Sequence, residues 1–218
     1  LQQLGVFESV RVEIEPAGPS EGILIWHLEE REQLNYGELG GSYAPQSGLE
    51  AYGQVILGNL HRQAERMTIT ASINTQETVF GGEVGYFWPW IAPRNTQASV
   101  NVYSMPRYRI TGDLTGTNDR YFERRSGFRG SLGRQVGTNL FGELGLRYEA
   151  VDVSNYPQSA FTSPTTQDGQ IGLVSLRGTW DRRNSAIDPT SGTYTVGFIE
   201  GGFADTDSVG GLGRAWGD

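Results

Sequence analysis

The sequence predicts an all-β protein dominated by a membrane-spanning antiparallel β-barrel. Three observations carry that prediction. Apolar and polar residues alternate with period two along run after run, and the polar face bears ionised groups. Two runs, 140–154 and 169–183, are about fifteen residues long, against a usual five or six for a strand. The chain also combines 31 Gly and 11% aromatic residues with a mean hydropathy of −0.41. That combination suits a barrel with a polar lumen better than a soluble core. A soluble β-sandwich, whose strands also alternate, is the competing reading.

Residues 1–31 differ from the rest. Leu1 to Phe7 reads as the end of a helix, with Gly5 near its C-terminus. In Phe7 to Pro16, Phe7, Val10, Val12 and Ile14 alternate with Glu8, Arg11, Glu13 and Glu15, with one slip at Ser9. Ala17 to Glu21 is a turn. Gly22 to Glu30 is a second strand, with Ile23, Ile25 and His27 on one face and Leu24, Trp26 and Leu28 on the other. Helix, strand, turn, strand is the tail of a small α+β unit.

From Gln33 the pattern is strand after strand, nine and the beginning of a tenth. Met67, Ile69, Ala71 and Ile73 alternate with Thr68, Thr70, Ser72 and Asn74. Ala98, Val100 and Val102 alternate with Ser99, Asn101 and Tyr103. Leu140, Gly142, Leu144, Leu146, Tyr148 and Ala150 alternate with Phe141, Glu143, Gly145, Arg147 and Glu149. Val174, Leu176, Gly178 and Trp180 alternate with Ser175, Arg177, Thr179 and Asp181. The connections alternate too: 136–139 is short, 155–168 long, 188–192 short, as short turns and long loops do in a barrel. Tyr86, Phe87, Trp88, Pro89 and Trp90 cluster at a strand end before a turn at Pro93-Arg94-Asn95, where an interfacial girdle would sit. In Trp180 to Phe203 a strand ends in Trp-Asp-Arg-Arg and Asp188 to Gly192 makes the turn. Tyr194, Val196 and Phe198 then alternate along the next strand, whose other face carries little but Thr, Gly and charge.

Composition narrows the function. The net charge is −8 and all 17 basic residues are Arg, without a basic cluster, which argues against nucleic acid as a partner. There is no Cys, hence no disulfide framework. No window reaches 18 apolar residues and no signal peptide is visible. The chain reads as a fragment, opening at Leu1-Gln2-Gln3 and closing inside another strand at Ala215-Trp216-Gly217-Asp218. No enzyme is expected. Gly18-Pro19-Ser20-Glu21-Gly22 fits Gly-x-Ser-x-Gly but lies in a turn between two strands, where that motif needs a strand before it and a helix after it. His27 and His61 are the only His, so no catalytic residue, metal site or cofactor is assigned. Gly210-Gly211-Leu212-Gly213 is too short for a dinucleotide loop. Arg124-Arg125 and Arg182-Arg183 read as rim and lumen charges paired with Glu or Asp.

The residues also point to a family. Leu4-Gly5-Val6-Phe7-Glu8-Ser9-Val10-Arg11-Val12, Leu34 to Tyr43 followed by Ser47-Gly48-Leu49, and Gln54 to Leu60 recur in form there. The most specific motif is Trp180-Asp181-x-Arg183, then Pro189-x-x-Gly192 and an aromatic strand. On these the chain resembles the BamA/TamA-type outer-membrane assembly factors, the bacterial surface antigen family. The resemblance implies a barrel of sixteen strands, of which nine or ten are here. It implies that residues 1–31 are the C-terminal part of a periplasmic POTRA module and 32–218 the N-terminal portion of an outer-membrane barrel. His61-Arg62-Gln63 departs from the family's Gly-x-Gly turn. The family's Arg-Gly-Phe-type luminal-loop motif is absent from this sequence.

The implied partners are outer-membrane lipids, nascent outer-membrane proteins, and periplasmic or lipoprotein subunits recruited through POTRA modules. The implied role is insertion of nascent barrels at a lateral gate formed by the first barrel strand: Leu34, Asn35, Tyr36, Gly37, Glu38, Leu39, Gly40 and Gly41. In lipid every backbone polar group must be paired, so that strand must close on the last one. Three Gly weaken it, and a weak seam can open to template an incoming strand. Relief of crowding in the lumen is an equal reason for Gly there. Glu143, Arg147, Glu149, Arg177 and Asp181 are expected as lumen charges. A polypeptide-translocating pore of the two-partner secretion type, and the membrane anchor of a patatin-like lipase, are the alternatives.

Overall fold

A computed structural model describes residues 6–18, 21–31, 34–44, 48–74, 79–91, 96–112, 118–154, 168–185, 188–205 and 212–217. Every regular element among them is a strand. β1 (Phe7–Pro16) and β2 (Gly22–Glu30) form a two-stranded sheet. A second sheet holds β3 (Tyr36–Ala44), β4 (Gly48–Leu60), β5 (Glu65–Asn74), β6 (Val79–Ile91), β7 (Thr96–Gly112), β8 (Asn118–Val136), β9 (Leu140–Ser154), β10 (Gly169–Asp181), β11 (Tyr194–Asp205) and β12 (Leu212–Gly217). Its order follows the sequence, every pair is antiparallel, and it is open, with β3 and β12 at its edges. The expected N-terminal helix end, the turn at 93–95 and the long 155–167 connection fall outside the described residues.

In the small sheet the slip at Ser9 is a bulge: the β1–β2 register shifts between Phe7 and Ser9. Beyond it Val10, Val12 and Ile14 lie opposite Leu28, Trp26 and Leu24 on one face, as the alternation predicted. That face is open in this chain, Ile14 and Trp26 being 70% and 50% exposed. Ala17 N and Gly18 N donate to Glu21 O at 2.9 and 3.2 Å between the two strands, and His27 reaches Glu13 on the neighbouring strand at 3.2 Å.

In the large sheet, side chains directly opposite on paired strands share a face. Leu140, Leu144, Leu146, Val174, Leu176 and Trp180 are 42–57% exposed on one face, and Glu143, Arg147, Glu149, Ser175 and Arg177 take the other. On the apolar face Gly142, Gly178 and Gly197 stand in register across β9, β10 and β11, each with open space where a Cβ would be. The aromatic cluster divides between the faces. Tyr86 and Trp88 meet at 4.4 Å, while Phe87 lies under Arg66 at 5.6 Å. Pro89 cannot donate to a ladder, and the β6–β7 register shifts between Trp88 and Ile91.

Three expectations are corrected. Tyr194, Val196 and Phe198 lie opposite Asp181, Thr179 and Arg177, on the charged face, while Ile199 and Phe203 are on the apolar one. Pairing to β10 settles this, because a strand with small residues on both faces carries a weak parity signal. The connection after Asp181 is also longer than 188–192: β11 begins at Tyr194, and the ladder continues through Arg182 N to Thr193 O (2.8 Å) and Asn184 N to Ser191 O (3.0 Å). Nor do connections simply alternate in length, since those joining Ala44 to Gly48, Asn74 to Val79 and Gly112 to Asn118 are short as well.

The atypical His61-Arg62-Gln63 segment has a structural counterpart. Asn59, His61, Arg62 and Ala64 all adopt φ between 53° and 58°, the left-handed region that Gly occupies without cost. Asn59 Oδ1 accepts from Ala64 N at 3.0 Å, and Glu65 accepts from Tyr86 Oη and meets His61 Nδ1, both at 2.7 Å. Side-chain bonds hold here a turn that Gly would make freely.

Candidate functional site

The first candidate is the edge strand β3, which is hydrogen-bonded to β4 on one side. Leu34 and Asn35 precede it. Asn35 Oδ1 accepts from Gly58 N at 3.0 Å, and the Leu34 carbonyl lies 2.7 Å from where a Cβ on Gly58 would be. Tyr36, Gly37, Glu38, Leu39, Gly40 and Gly41 lie opposite Ile56, Val55, Gln54, Gly53, Tyr52 and Ala51. The Tyr52 ring covers Gly40, 2.4 Å from an added Cβ, and its hydroxyl donates to Glu38 at 3.0 Å. Gly40 therefore relieves crowding. Gly37 has only ordinary contact, with Gln54 O at 3.7 Å, so crowding does not account for it. Leu39 is 89% exposed, and Tyr36 and Tyr43 are more than half exposed.

The second candidate is a network on the charged face. One row of the sheet runs Glu38, Gln54, Thr70, Glu83, Tyr103, Gly127, Glu149 across β3 to β9. Gly127, with no side chain, lets Tyr103 reach across β8: its hydroxyl donates to Glu149 Oε1 at 2.5 Å. An added Cβ there would stand 2.1 Å from the Tyr148 carbonyl. Arg125 bridges Glu123 and Glu149, the latter at 3.3 Å. Glu123 and Glu149 are each only 5% exposed and Tyr103 7%, so charge is buried here and kept because it is paired. Arg129 lies over the Tyr103 ring at 5.3 Å.

Of the sequence-chosen charges, the structure brings Glu149 into this network with Arg147 beside it. Arg177 and Glu143 lie directly opposite one another elsewhere on the face. Asp181 sits at the end of β10, where Arg183 donates through Nη2 at 2.7 Å and Nε at 2.9 Å. Sequence reasoning missed Tyr103, Glu123, Arg125, Gly127 and Arg129 as a unit. The spacing Glu123-x-Arg125-x-Gly127-x-Arg129 carries the period-two signal, but Arg124 beside it obscures the parity.

The hairpin motif is partly accounted for by geometry. Trp180 is 52% exposed on the apolar face, with Arg182 6.0 Å from its ring centre. Arg183, held by Asp181, lies over Tyr194 at 4.5 Å. Asn184 Oδ1 accepts from Thr190 N and Ser191 N at 3.1 Å, closing the loop around Pro189. Gly192 has φ 108°, and a Cβ would lie 2.2 Å from Arg182 O. Gly192→Ala should therefore cost about 1–3 kcal/mol; a lowered urea midpoint of the refolded protein would register it.

A family model, the Omp85 superfamily domain, matches residues 59–208. The chain belongs to the Omp85 superfamily. As an Omp85 member it is an outer-membrane protein, and among the described residues its larger sheet holds ten antiparallel strands. Two solved structures have the same fold. BamA from Haemophilus ducreyi lacking POTRA domains 1-3 matches with a TM-score of 0.56 at 16% identity, over 93% of this chain and 40% of that one. CdiB from Acinetobacter baumannii matches with a TM-score of 0.52 at 12% identity, over 98% of this chain and 40% of that one. This Omp85 chain thus spans 40% of the length of either structure. A comparison with curated proteins finds none that matches.

Proposed function

We propose that this Omp85 chain is the first part of the barrel of an outer-membrane protein assembly factor, and that β3 is its lateral gate. Residues 1–31 are read as the end of a periplasmic POTRA-like module and 32–218 as the N-terminal portion of the barrel. The charged face lines the lumen, and Glu143, Arg147, Glu149, Arg177 and Asp181 are its charges. Nascent outer-membrane proteins are the clients, lipids the surroundings, and periplasmic or lipoprotein subunits the partners on the POTRA side.

The Gly-rich composition of β3, at an edge of the sheet, carries this reading. In lipid an unpaired backbone N–H or C=O costs several kcal/mol, so the edge must be paired by a closing strand or by an incoming one. Gly37 and Gly41 give a closing strand no side chains to grip, and Leu39 stands out from the sheet at 89% exposure. A seam with few side-chain contacts can exchange its partner for a client strand.

The test joins Cys at Asn35 or Gly37 to Cys on the last barrel strand of the full-length protein. Locking the seam should stop insertion of a client barrel into vesicles, and reductant should restore it. Insertion at an undiminished rate with the seam locked would remove the gate from the mechanism. A polypeptide-translocating pore of the two-partner secretion type is the alternative, on a fold that CdiB shares with a TM-score of 0.52. In that case the locked protein would still pass polypeptide.

A further inference from the structure

We infer that Arg129 and Arg147 form a carboxylate-binding site for an acidic polypeptide segment inside the barrel. The two residues stand directly opposite one another on β8 and β9. Like charges in that position repel. Neither is in an ion pair among the described residues, although the chain as a whole carries a net charge of −8. Arg147 Nε is buried and has no hydrogen-bond partner among the described residues, a costly state for a guanidinium N–H.

The carboxylates on the neighbouring row are already engaged. Glu149 is bound by Tyr103 through Oε1 and by Arg125 through Oε2. Glu83 Oε1 accepts from Asn101 at 2.8 Å. The row on the other side offers Ser131, Gly145 and Ser175 beside the pair, and its acid, Glu200, lies on β11, two strands away from Arg147. Arg129, stacked on Tyr103, is held in place while its N–H groups stay available. Two guanidinium groups at directly paired positions can take up a carboxylate by charge-assisted hydrogen bonds, Arg147 through its terminal nitrogens.

Position selects the occupant. Arg147 is the eighth of the fifteen residues of β9, midway along the strand. It faces away from Leu144 and Leu146, which are on the apolar face. A lipid headgroup at either membrane surface lies several residues from it along the strand, and on the other side of the sheet. An Asp or Glu on a polypeptide within the lumen reaches it directly. The inference rests on the charged face lining a barrel, and not on the gate.

The test titrates full-length protein in detergent with triglutamate, triglutamine and inorganic phosphate, followed by calorimetry. Triglutamate should bind the wild type and triglutamine should not. In Arg129→Gln/Arg147→Gln the triglutamate Kd should rise about tenfold or more, the loss expected of charge-assisted hydrogen bonds. Arg147→Lys, which keeps the charge but loses the fork, should give a smaller rise; it decides the matter if the double variant does not fold. An unchanged Kd in these variants, or no triglutamate binding to the wild type, would overturn the site. Phosphate binding as tightly as triglutamate, with the same loss in the variants, would overturn the polypeptide as occupant and leave a small-anion site. Because the seam is free throughout, failure here is distinct from failure of the gate.

Discussion

Leu146→Arg should destabilise the folded protein in a bilayer by about 2–4 kcal/mol if its position is near midplane, with smaller losses toward the interfaces. Leu146 is 50% exposed on the apolar face, in register with Val174 on β10 and Gly130 on β8. An arginine there must carry its charge into hydrocarbon or bend away toward water. The matched control is Thr70→Arg on the opposite face. Thr70 lies opposite Glu83 and borders a polar cavity of about 330 Å³, so the new guanidinium has both room and a counter-charge. It loses chiefly the 3.0 Å bond from Gln54. Reversible urea unfolding in vesicles, followed by Trp fluorescence, gives both values. Equal losses on the two faces would contradict a membrane-facing apolar surface.

Glu149→Ala should be the most costly change on the charged face, about 3 kcal/mol, at the lower end of what breaking a buried ion pair costs. Glu149 is 5% exposed and satisfies two buried neighbours, the Tyr103 hydroxyl and Arg125. Arg125 keeps Glu123 as a partner, which limits the loss. Tyr103 keeps none among the described residues. Glu143→Ala is the comparison: Glu143 is on the same strand and face, opposite Arg177 but in no ion pair among the described residues, and should change stability by no more than about 0.5 kcal/mol. If the two variants unfolded at the same urea concentration, water would be screening the Glu149 network and the packing described for it would be wrong.

Strand existence and parity were legible because they are local properties. Side chains alternate with period two whatever the strand pairs with. The runs 67–74, 98–103, 140–150 and 174–181 therefore fell on their correct faces, and the bulge at Ser9 showed as a break in the alternation. The same rule failed for β11. Its faces carry Thr195, Gly197 and Gly201 on one side and Glu200 and Gly202 on the other, so hydrophobicity alone does not separate them. Connection lengths misled for a related reason, because Pro189 and Gly192 mark a turn tip and say nothing of where the ladder resumes.

The sequence by itself determined an antiparallel β protein with one apolar and one charged face, a Gly-rich strand at Tyr36–Ala44, and charges at 143, 147, 149, 177 and 181 on one side. Tertiary structure alone decided which of those charges act together. A strand's own sequence states the face of each residue but not its neighbour across the ladder, which depends on register with strands up to dozens of residues away. Tyr103 meets Glu149 because β7, β8 and β9 align at Gly127, the one residue that lets a ring cross the strand between them. Register likewise set Arg129 against Arg147 and laid Tyr52 over Gly40 while leaving Gly37 free. It thereby separated a glycine required by packing from one that packing does not require.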